Sequence, residues 1–461
     1  TAVGGNSMQA NNGGMYNVAV GRQSLLANTT GNYNVAVGYD ALQANTTAAS
    51  NTAVGYNAGA NLTTGAENTF VGALCGDNIT TASRNTAVGS NCLTSGNSVG
   101  CTIMGHDAGE GVGGNYNVAI GYEAMKASNS GDGNCVVGTQ AGFSITTAAQ
   151  NTCIGHNAGI NVTTGGENTL IGGISGQHIT TGILNTAVGR GSLNKLTTGN
   201  YNIAIGPYSQ RYNNISGNGN NVSMGYEAMR GASDANPLTG NSNVCIGNHS
   251  GEDFTSGSDN TCVGYFAGRN INTGVGNIMI GHDCQPASQG TYRQISLGTN
   301  LTSIGQDYIT FGNNSVGRVY NQYSSNATWN HSSDERLKKD INTNTDCGLN
   351  FINELRTTTF KWKAPSEIPN TFVGYNADIT TAYHTDKMYG FIAQEVKAAL
   401  DKHSITNFNG WTETSEGEQG ISYEMFIVPL VKAVQELSAE NTALKNLIKN
   451  SSSFAALKSS L

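Results

Sequence analysis

A serine and a lysine five positions apart are the residues of this chain best suited to chemistry. Ser333 opens the string SDERLKKDI, and Lys338 lies within it. A serine hydroxyl can attack a peptide carbonyl when a base takes its proton, and a lysine serves as that base only where burial lowers its pKa. The carbonyl within reach of Ser333 is that of Ser332. The pair therefore has the raw materials for a self-cleaving Ser-Lys dyad.

The same string also has the features of a helix start. Ser332 is followed three residues later by a glutamate, which is the pattern of a capping box. On a regular helix, Lys338 would lie roughly 140° around the axis from Ser333. A dyad therefore requires an irregular first turn or a Ser333 that precedes the helix. Asp334 and Arg336 either orient that turn or form a surface ion pair.

Composition divides the chain at this point. Residues 1–330 hold 55 of the 61 glycines and 10 of the 23 Lys and Arg residues. The net charge is −8, and no basic run exceeds two residues, which argues against nucleic acid as a partner. No stretch of about 18 apolar residues is present, so we expect no membrane insertion. Because the chain begins within a repeat, we expect its N-terminal part to be missing.

A short repeat fills the first part of the chain. The unit Asn-x-small-aliphatic-Gly recurs every 17 residues almost throughout, with closing glycines from Gly4 to Gly298. The spacing falls to 16 on both sides of Gly105 and lengthens to 19 and 22 before Gly225 and Gly247. A unit this short predicts one coil of a β-solenoid over residues 1–298. Eighteen coils at about 4.8 Å each would form a rod of about 90 Å.

Each coil is expected to contain two short strands. One is the Asn-x-small-aliphatic-Gly segment, and the other is the Tyr-x-Ala stretch after the glycine, as in residues 56–59. In the first strand, adjacent positions such as Ala53 and Val54 are both apolar, although neighbouring strand residues point to opposite faces. Both faces are therefore expected to be buried, one inside the coil and one against partner chains. The sequence thus predicts a homotrimer.

These repeats resemble the head β-roll of trimeric autotransporter adhesins and the glycine-rich repeats of phage tail fibres. The resemblance covers about residues 1–300. It implies a fibre shaft and leaves the biological role open.

The C-terminal part resembles the intramolecular chaperone domain of endosialidase tailspikes, tail fibres and phage neck appendages, classed as peptidase S74. The matching segments are the SDERLK string from Ser333, Leu355 through Phe360-Lys361-Trp362, Tyr389 through Val396, and Ile421-Ser422-Tyr423. The resemblance implies autoproteolysis between Ser332 and Ser333, with Ser333 as nucleophile and Lys338 as base. It also implies that the site becomes competent only in the folded trimer.

The last predicted helix carries apolar residues at a spacing of three and four. They are Ile427, Leu430, Val434, Leu437, Asn441, Leu444 and Ile448. This spacing predicts a coiled coil over about 427–449, with Asn441 at an a position that would fix the register. The alternative is an amphipathic helix packed on its own domain.

Other residues that could do chemistry have structural explanations. The cysteines at 135, 153, 245 and 262 take the place of small residues in repeat strands, which favours buried free thiols over disulfides. His106, His156 and His282 share one repeat position with several tyrosines, which favours a stacked aromatic ladder; glycan binding or an axial metal is the alternative. We expect no metal and no cofactor.

The sequence as a whole predicts a mainly β trimeric fibre. A β-solenoid shaft at 1–298 is followed by a neck at 299–331 and a small α+β chaperone domain at 332–461 that ends in the coiled coil. The expected role is a phage-type virion tail fibre assembled in the host cytoplasm. Its expected partners are a host surface receptor, for which a glycan is one candidate, and other tail proteins bound through the missing N-terminal region. The alternatives are a bacterial trimeric adhesin head or a fragment of a glycan-degrading tailspike.

Overall fold

The chain forms two compact units, Thr1–Ser332 and Ser333–Leu461. The computed structural model describes residues 1–127, 130–322, 330–331, 333–372, 375–382 and 385–451, together with 453, 455 and 458. The first unit is a β-solenoid, and the second is a small domain with a long C-terminal helix. The predicted order of a mainly β solenoid followed by a small helical and β domain is confirmed.

Each coil of the solenoid contributes one short strand, and each strand pairs in parallel with the strand of the next coil. In this register residues 17 apart lie side by side, as Ala36 does beside Ala53. Strands β1 to β18 are Ala2–Val3, Val18–Val20, Val35–Val37, Thr52–Val54, Thr69–Val71, Thr86–Val88, Thr102–Met104, Val118–Ile120, Cys135–Val137, Thr152–Ile154, Thr169–Ile171, Thr186–Val188, Ile203–Ile205, Val222–Met224, Val244–Ile246, Thr261–Val263, Ile278–Ile280 and Ile295–Gly298.

The predicted second strand of each coil is wrong. Residues 56–59 form a turn, in which Asn57 has a φ of 55° and Gly59 a φ of 60°. Both angles lie in the left-handed region, which interrupts an extended strand. The turns of neighbouring coils are still hydrogen-bonded to one another, because the Asn57 N–H donates to the Tyr39 carbonyl at 2.9 Å. Stacking of turns thus replaces the second sheet.

A buried column of asparagine side chains runs through the shaft. The Asn51 amide donates to the Gly65 carbonyl at 2.9 Å and to the Asn34 side-chain oxygen at 3.3 Å, and its own oxygen accepts from the Asn68 N–H at 2.9 Å. Each asparagine thereby closes a turn and joins two coils. Cys101 takes the asparagine position in one coil, where it accepts from the Asn117 N–H at 3.5 Å. The 17-residue recurrence of asparagine was the sequence signal for this column.

The two faces of the solenoid sheet differ in burial. The middle residue of each strand points into the coil, and Ala53 is 0% exposed. The residue after it points outward, and Val54 is 37% exposed in the single chain. Glycine closes the strand because a Cβ at Gly38, where φ is +143°, would collide with the carbonyl of Gly55. Glycine at this closing position therefore allows the coils to stack this closely.

The solenoid sheet continues into a short meander. Strand β19 (Tyr308–Asn313) pairs in parallel with β18, and β20 (Gly317–Gln322) pairs antiparallel with β19. Strand β21 (Asn330–His331) pairs antiparallel with β20. These strands cover the described part of the predicted neck.

The second unit combines helices with two small antiparallel two-stranded sheets. Its elements are the 3-10 turn Glu335–Leu337, α1 (Leu349–Glu354), β22 (Thr358–Phe360), the 3-10 turn Pro365–Glu367, β23 (Met388–Gly390), α2 (Ala393–Lys402), β24 (Trp411–Glu413), β25 (Gln419–Ile421), the 3-10 turn Tyr423–Phe426 and α3 (Ile427–Asn450). Its core is formed by Phe351, Val396, Ala399, Leu400 and Phe426. None of the helices in the described part of the chain has the length and apolar character to cross a membrane.

Candidate functional site

Ser333 and Lys338 lie on either side of a single tight turn. The Lys338 ammonium nitrogen donates to the Ser333 hydroxyl oxygen at 2.7 Å. The turn between them, Glu335–Leu337, is a 3-10 helix of three residues, and Lys338 has an extended backbone with φ −116° and ψ 150°. Ser333 therefore precedes the helical turn. Both residues lie outside the helical turn, so the rotation per residue of a helix does not set the angle between their side chains.

Asp334 and Arg336 hold this turn together. An Asp334 carboxylate oxygen accepts a hydrogen bond from the Arg336 backbone N–H at 2.9 Å and caps the turn. The Arg336 guanidinium donates to both oxygens of the same carboxylate, at 3.0 and 2.6 Å. Both residues are exposed, and the Arg336 side chain holds the pKa of the Asp334 carboxyl below its usual value. The pair is thus an ion pair and a cap at the same time.

The capping residue differs from the one that the helix-start pattern indicated. That pattern assigned the cap to Ser332, which lies outside the described residues. In the structure, Asp334 is the N-cap, and the turn ends at Leu337 without continuing into a longer helix. Because the turn is short, the 140° separation expected on a regular helix does not arise.

The Ser-Lys contact lies at the start of the second unit. The first unit ends at Ser332 and the second begins at Ser333. The peptide bond that the sequence resemblance marks for cleavage is therefore the bond that joins the units. Ser333 and Lys338 both belong to the second unit, and both are exposed in the single chain.

Helix α3 leaves its predicted coiled-coil positions uncovered in the single chain. Every described residue at these positions is exposed or half-buried, as for Leu430, Val434, Leu437, Asn441, Leu444 and Ile448. A side of the helix next to the seam is buried on its own unit at Pro429 and Ala433. Glu436 also accepts a hydrogen bond from the Leu349 N–H at 2.6 Å at the start of α1. The helix therefore packs on its domain and still presents a free apolar seam.

The outer face of the solenoid sheet is a second uncovered apolar surface. We define the outer stripe as the residues that follow the buried middle position of each strand. Its exposed members include Val20, Val54, Met104, Ile154, Met224, Ile246 and Ile280. Because the strands are stacked in register, these side chains form a continuous line along the shaft.

The histidine and tyrosine position forms stacked pairs. The rings of Tyr39 and Tyr56 are 5.7 Å apart, and those of His106 and Tyr122 are 5.8 Å apart. His282 stacks on its neighbour Tyr265 in the same way, whereas His156 has Thr139 and Gly173 at this position in the neighbouring coils. Stacking turns the ring faces toward one another, so these pairs present mainly their edges to solvent. This geometry agrees with an aromatic ladder.

One cluster of possible metal ligands occurs among the described residues. Glu227, His249 and Glu252 bring one ligand atom each to within 4.8 Å of one another. The Arg230 guanidinium contacts Glu227 at 2.8 Å and Glu252 at 3.1 Å. A cation from the chain itself thus balances these carboxylates, and we assign no metal to them.

Comparison with known families supports the C-terminal part of this description. Residues 333–405 match the family model of the chaperone of endosialidase, peptidase S74. This segment of the chain is similar to the chaperone of endosialidase. The match begins at Ser333 and extends past α2, so it includes the Ser-Lys contact. Together with the β-solenoid, this chaperone domain indicates a protein of the phage tail fibre or tailspike type.

Searches of curated proteins and of solved structures give no match to this chain.

Proposed function

We propose that this chain is the subunit of a homotrimeric phage-type tail fibre whose chaperone domain drives assembly and then releases itself. Release is a single autoproteolytic cut between Ser332 and Ser333. The observation that carries the proposal is the 2.7 Å contact between Lys338 and Ser333 at the start of the second unit. The match to the endosialidase chaperone family supports it.

The proposed reaction uses the hydroxyl of Ser333 as nucleophile. Its oxygen attacks the carbonyl carbon of Ser332 while Lys338 takes the hydroxyl proton. The carbon–nitrogen bond then breaks, the amino group of Ser333 takes that proton, and the Ser332 acyl group remains on Ser333 as an ester. One water molecule hydrolyses the ester and restores the hydroxyl. The net reaction adds water across one peptide bond.

Trimer formation provides the switch for this reaction. An amine acts as a base only in its neutral form, which burial away from water favours. Both Ser333 and Lys338 are exposed in the single chain. Neighbouring chains that cover them would supply the missing low-dielectric environment. Cleavage would then follow assembly, because the base becomes competent only once the partners are in place.

Two uncovered apolar surfaces support a trimer. The outer stripe of the shaft and the free seam of α3 run along separate parts of the chain, and both are exposed in the single chain. Burial of apolar surface is worth about 25 cal/mol per Å². Three parallel copies would cover both surfaces at once. Asn441 in the seam would favour one register among the three helices.

The proposed setting is the virion, after assembly in the host cytoplasm. The shaft would face the host surface and contact a receptor, for which a glycan is one candidate. It would also bind other tail proteins.

The test is to follow cleavage in four substitutions of the full chain. Ser333→Ala removes the nucleophile, and Lys338→Ala removes the base. Lys338→Arg keeps the charge, but a guanidinium stays protonated and cannot accept the proton. All three variants should assemble as trimers that retain the C-terminal domain. Wild type should release a fragment of 129 residues that begins at Ser333, as measured by intact mass and N-terminal sequencing.

Lys339→Ala is the matched control. It removes the neighbouring lysine and leaves the Ser333–Lys338 contact intact, so cleavage should proceed as in wild type. Cleavage should also be insensitive to dilution once trimers exist, because nucleophile and base belong to one chain. Persistent cleavage in Ser333→Ala would overturn the assignment of the nucleophile. Normal cleavage in Lys338→Arg would overturn the assignment of the base.

A further inference from the structure

Two cysteines of neighbouring coils meet inside the shaft. Cys75 and Cys92 are 17 residues apart, are fully buried, and occupy the same position in successive coils. Their sulfur atoms are 2.9 Å apart. Neighbouring coils are separated by about 4.8 Å, which falls within the range of about 4.4–6.8 Å between Cα atoms that a disulfide requires. The backbone therefore needs no rearrangement to join the two sulfurs.

We propose that Cys75 and Cys92 form a disulfide on oxidation and that this bond ties two coils of the shaft together. With hydrogen peroxide as oxidant, one thiol attacks the O–O bond, becomes a sulfenic acid and releases water. The second thiol attacks the sulfenic sulfur and releases a second water. Both sulfurs are oxidised by one electron equivalent each, and the peroxide is reduced.

The surroundings of the pair keep it reduced until an oxidant reaches it. The hydrogen bond to Cys92 and the burial of the side chain raise the pKa of the Cys75 thiol. The thiolate is the reactive form of cysteine, so oxidation of the folded shaft is expected to be slow. A small oxidant is needed because neither sulfur reaches the surface. Outside a reducing cytosol the pair has time to oxidise.

The position of the pair indicates which part of the shaft the bond would stabilise. Cys92 lies in the first of the two 16-residue coils, and Cys101 interrupts the asparagine column in the same coil. A bond between Cys75 and Cys92 therefore ties this shorter coil to the regular coil before it. Such a cross-link stabilises mainly by restricting the unfolded chain. It therefore reinforces the shaft next to the place where the amide column is broken.

The chain itself supplies a matched control. Ser7 and Ser24 occupy the same position in the first coils, and their hydroxyl oxygens are 3.1 Å apart. Serine is thus compatible with this position, and Cys75→Ser and Cys92→Ser should fold normally. Cys101→Ser tests the other cysteine that lies close in sequence.

The experiment detects the link by tryptic mapping of the full protein after peroxide treatment and alkylation. Arg84 separates the two cysteines, so Cys75 lies in peptide 23–84 and Cys92 in peptide 85–126. The two peptides should elute together without reductant and separately with it. The linked species should be absent in Cys75→Ser and Cys92→Ser and present in Cys101→Ser. Oxidised wild type should also melt at a higher temperature than reduced wild type, and this shift should vanish in Cys75→Ser.

Two results would overturn the proposal. One is that the peptides elute separately after oxidation, with both cysteines alkylated or converted to oxygen acids. The other is that the link persists in Cys92→Ser and therefore involves Cys101. Cys245 and Cys262 do not confuse this measurement, because both lie in peptide 231–269 and cannot join two peptides.

Discussion

The asparagine column shows how much one side chain contributes to the shaft. Asn151 donates to the Gly165 carbonyl at 3.0 Å and accepts from the Asn168 N–H at 3.0 Å, in a fully buried site. Asn151→Ala would leave both backbone groups without these partners. At roughly 1–3 kcal/mol for each unsatisfied group, we expect a loss of about 3 kcal/mol per chain in guanidinium unfolding. Asn241→Ala, at an exposed asparagine, should change the midpoint little; equal effects would contradict the column.

The spacing of Ser333 and Lys338 was readable from the sequence, but their contact was not. A regular helix was the natural expectation for a charged string, and it separates the two side chains. The chain forms one 3-10 turn instead, because the Asp334 carboxylate caps the turn and pairs with Arg336. The 3-10 turn depends on a local hydrogen bond of Asp334. The sequence is equally compatible with a longer helix that begins at a capping box of Ser332. Sequence alone therefore left the two alternatives open.

A negative charge introduced at two neighbouring positions of one strand should have two different effects on the shaft. Ala53 points into the coil, and a buried unpaired carboxylate costs several kcal/mol. Ala53→Asp should therefore abolish the folded shaft, seen as loss of soluble protein and of the β signal in circular dichroism. Val54 lies on the outer stripe. Val54→Asp should keep the β signal and lose the trimer mass in light scattering. Identical behaviour of the two variants would contradict the assignment of the faces.

The seam of α3 offers a similar comparison within one helix. Leu437 is 54% exposed and lies at a coiled-coil core position. Leu437→Asp should break the trimer and, with it, self-cleavage, because three carboxylates would meet at the axis. Ala439 is exposed two residues further on and faces away from the seam, so Ala439→Asp should assemble and cleave normally. Analytical ultracentrifugation measures both. A trimer of Leu437→Asp would show that α3 does not associate through this seam.

The second strand of each coil shows where element prediction fails. The pattern of residues 56–59 alternates like a strand, yet the segment is a turn with left-handed residues. Even Leu25 and Leu42 adopt positive φ, at 50°, which a single sequence does not favour. Hydrogen bonds to the corresponding turns of the coils above and below offset the conformational free energy of these positive φ angles. Because this support comes from the stacking of neighbouring coils, these turn conformations cannot be predicted from the sequence of one coil.

At the scale of the whole molecule, the proposed function makes assembly of the shaft depend on the C-terminal unit. The shaft carries a long apolar stripe, and most of its coils have the same length, so shifted registers between chains would still bring apolar residues together. We expect residues 1–332 expressed alone to aggregate or to give trimers out of register, measured by soluble yield and light scattering. The same residues obtained by self-cleavage of the full chain should stay soluble as trimers. Soluble, uniform trimers from the truncated chain would contradict the chaperone role.

The large-scale architecture was the most predictable part of the chain. A fixed period of 17 and a composition change near residue 330 indicated a solenoid followed by a different domain, and the family match begins at Ser333. The strand face that lies inside the coil was harder to predict from the sequence, because Ala53 and Val54 are both apolar. Size does not decide the face either, because the fully buried middle position holds Ala53 in one coil and Phe70 in the next.

The strand register has a consequence for how such a fibre changes over generations. Each coil contacts only the coils beside it, so the top of any coil fits the bottom of any other. Duplication or loss of a whole repeat would therefore preserve the strand pairing and the stacking of turns between coils, and would alter only the length of the fibre. A deletion of a few residues is tolerated only in a turn, as in the two shorter coils beside Gly105. The length of the fibre is thus set by the number of coils. Recombination between repeats changes this length by whole coils and creates no new kind of contact.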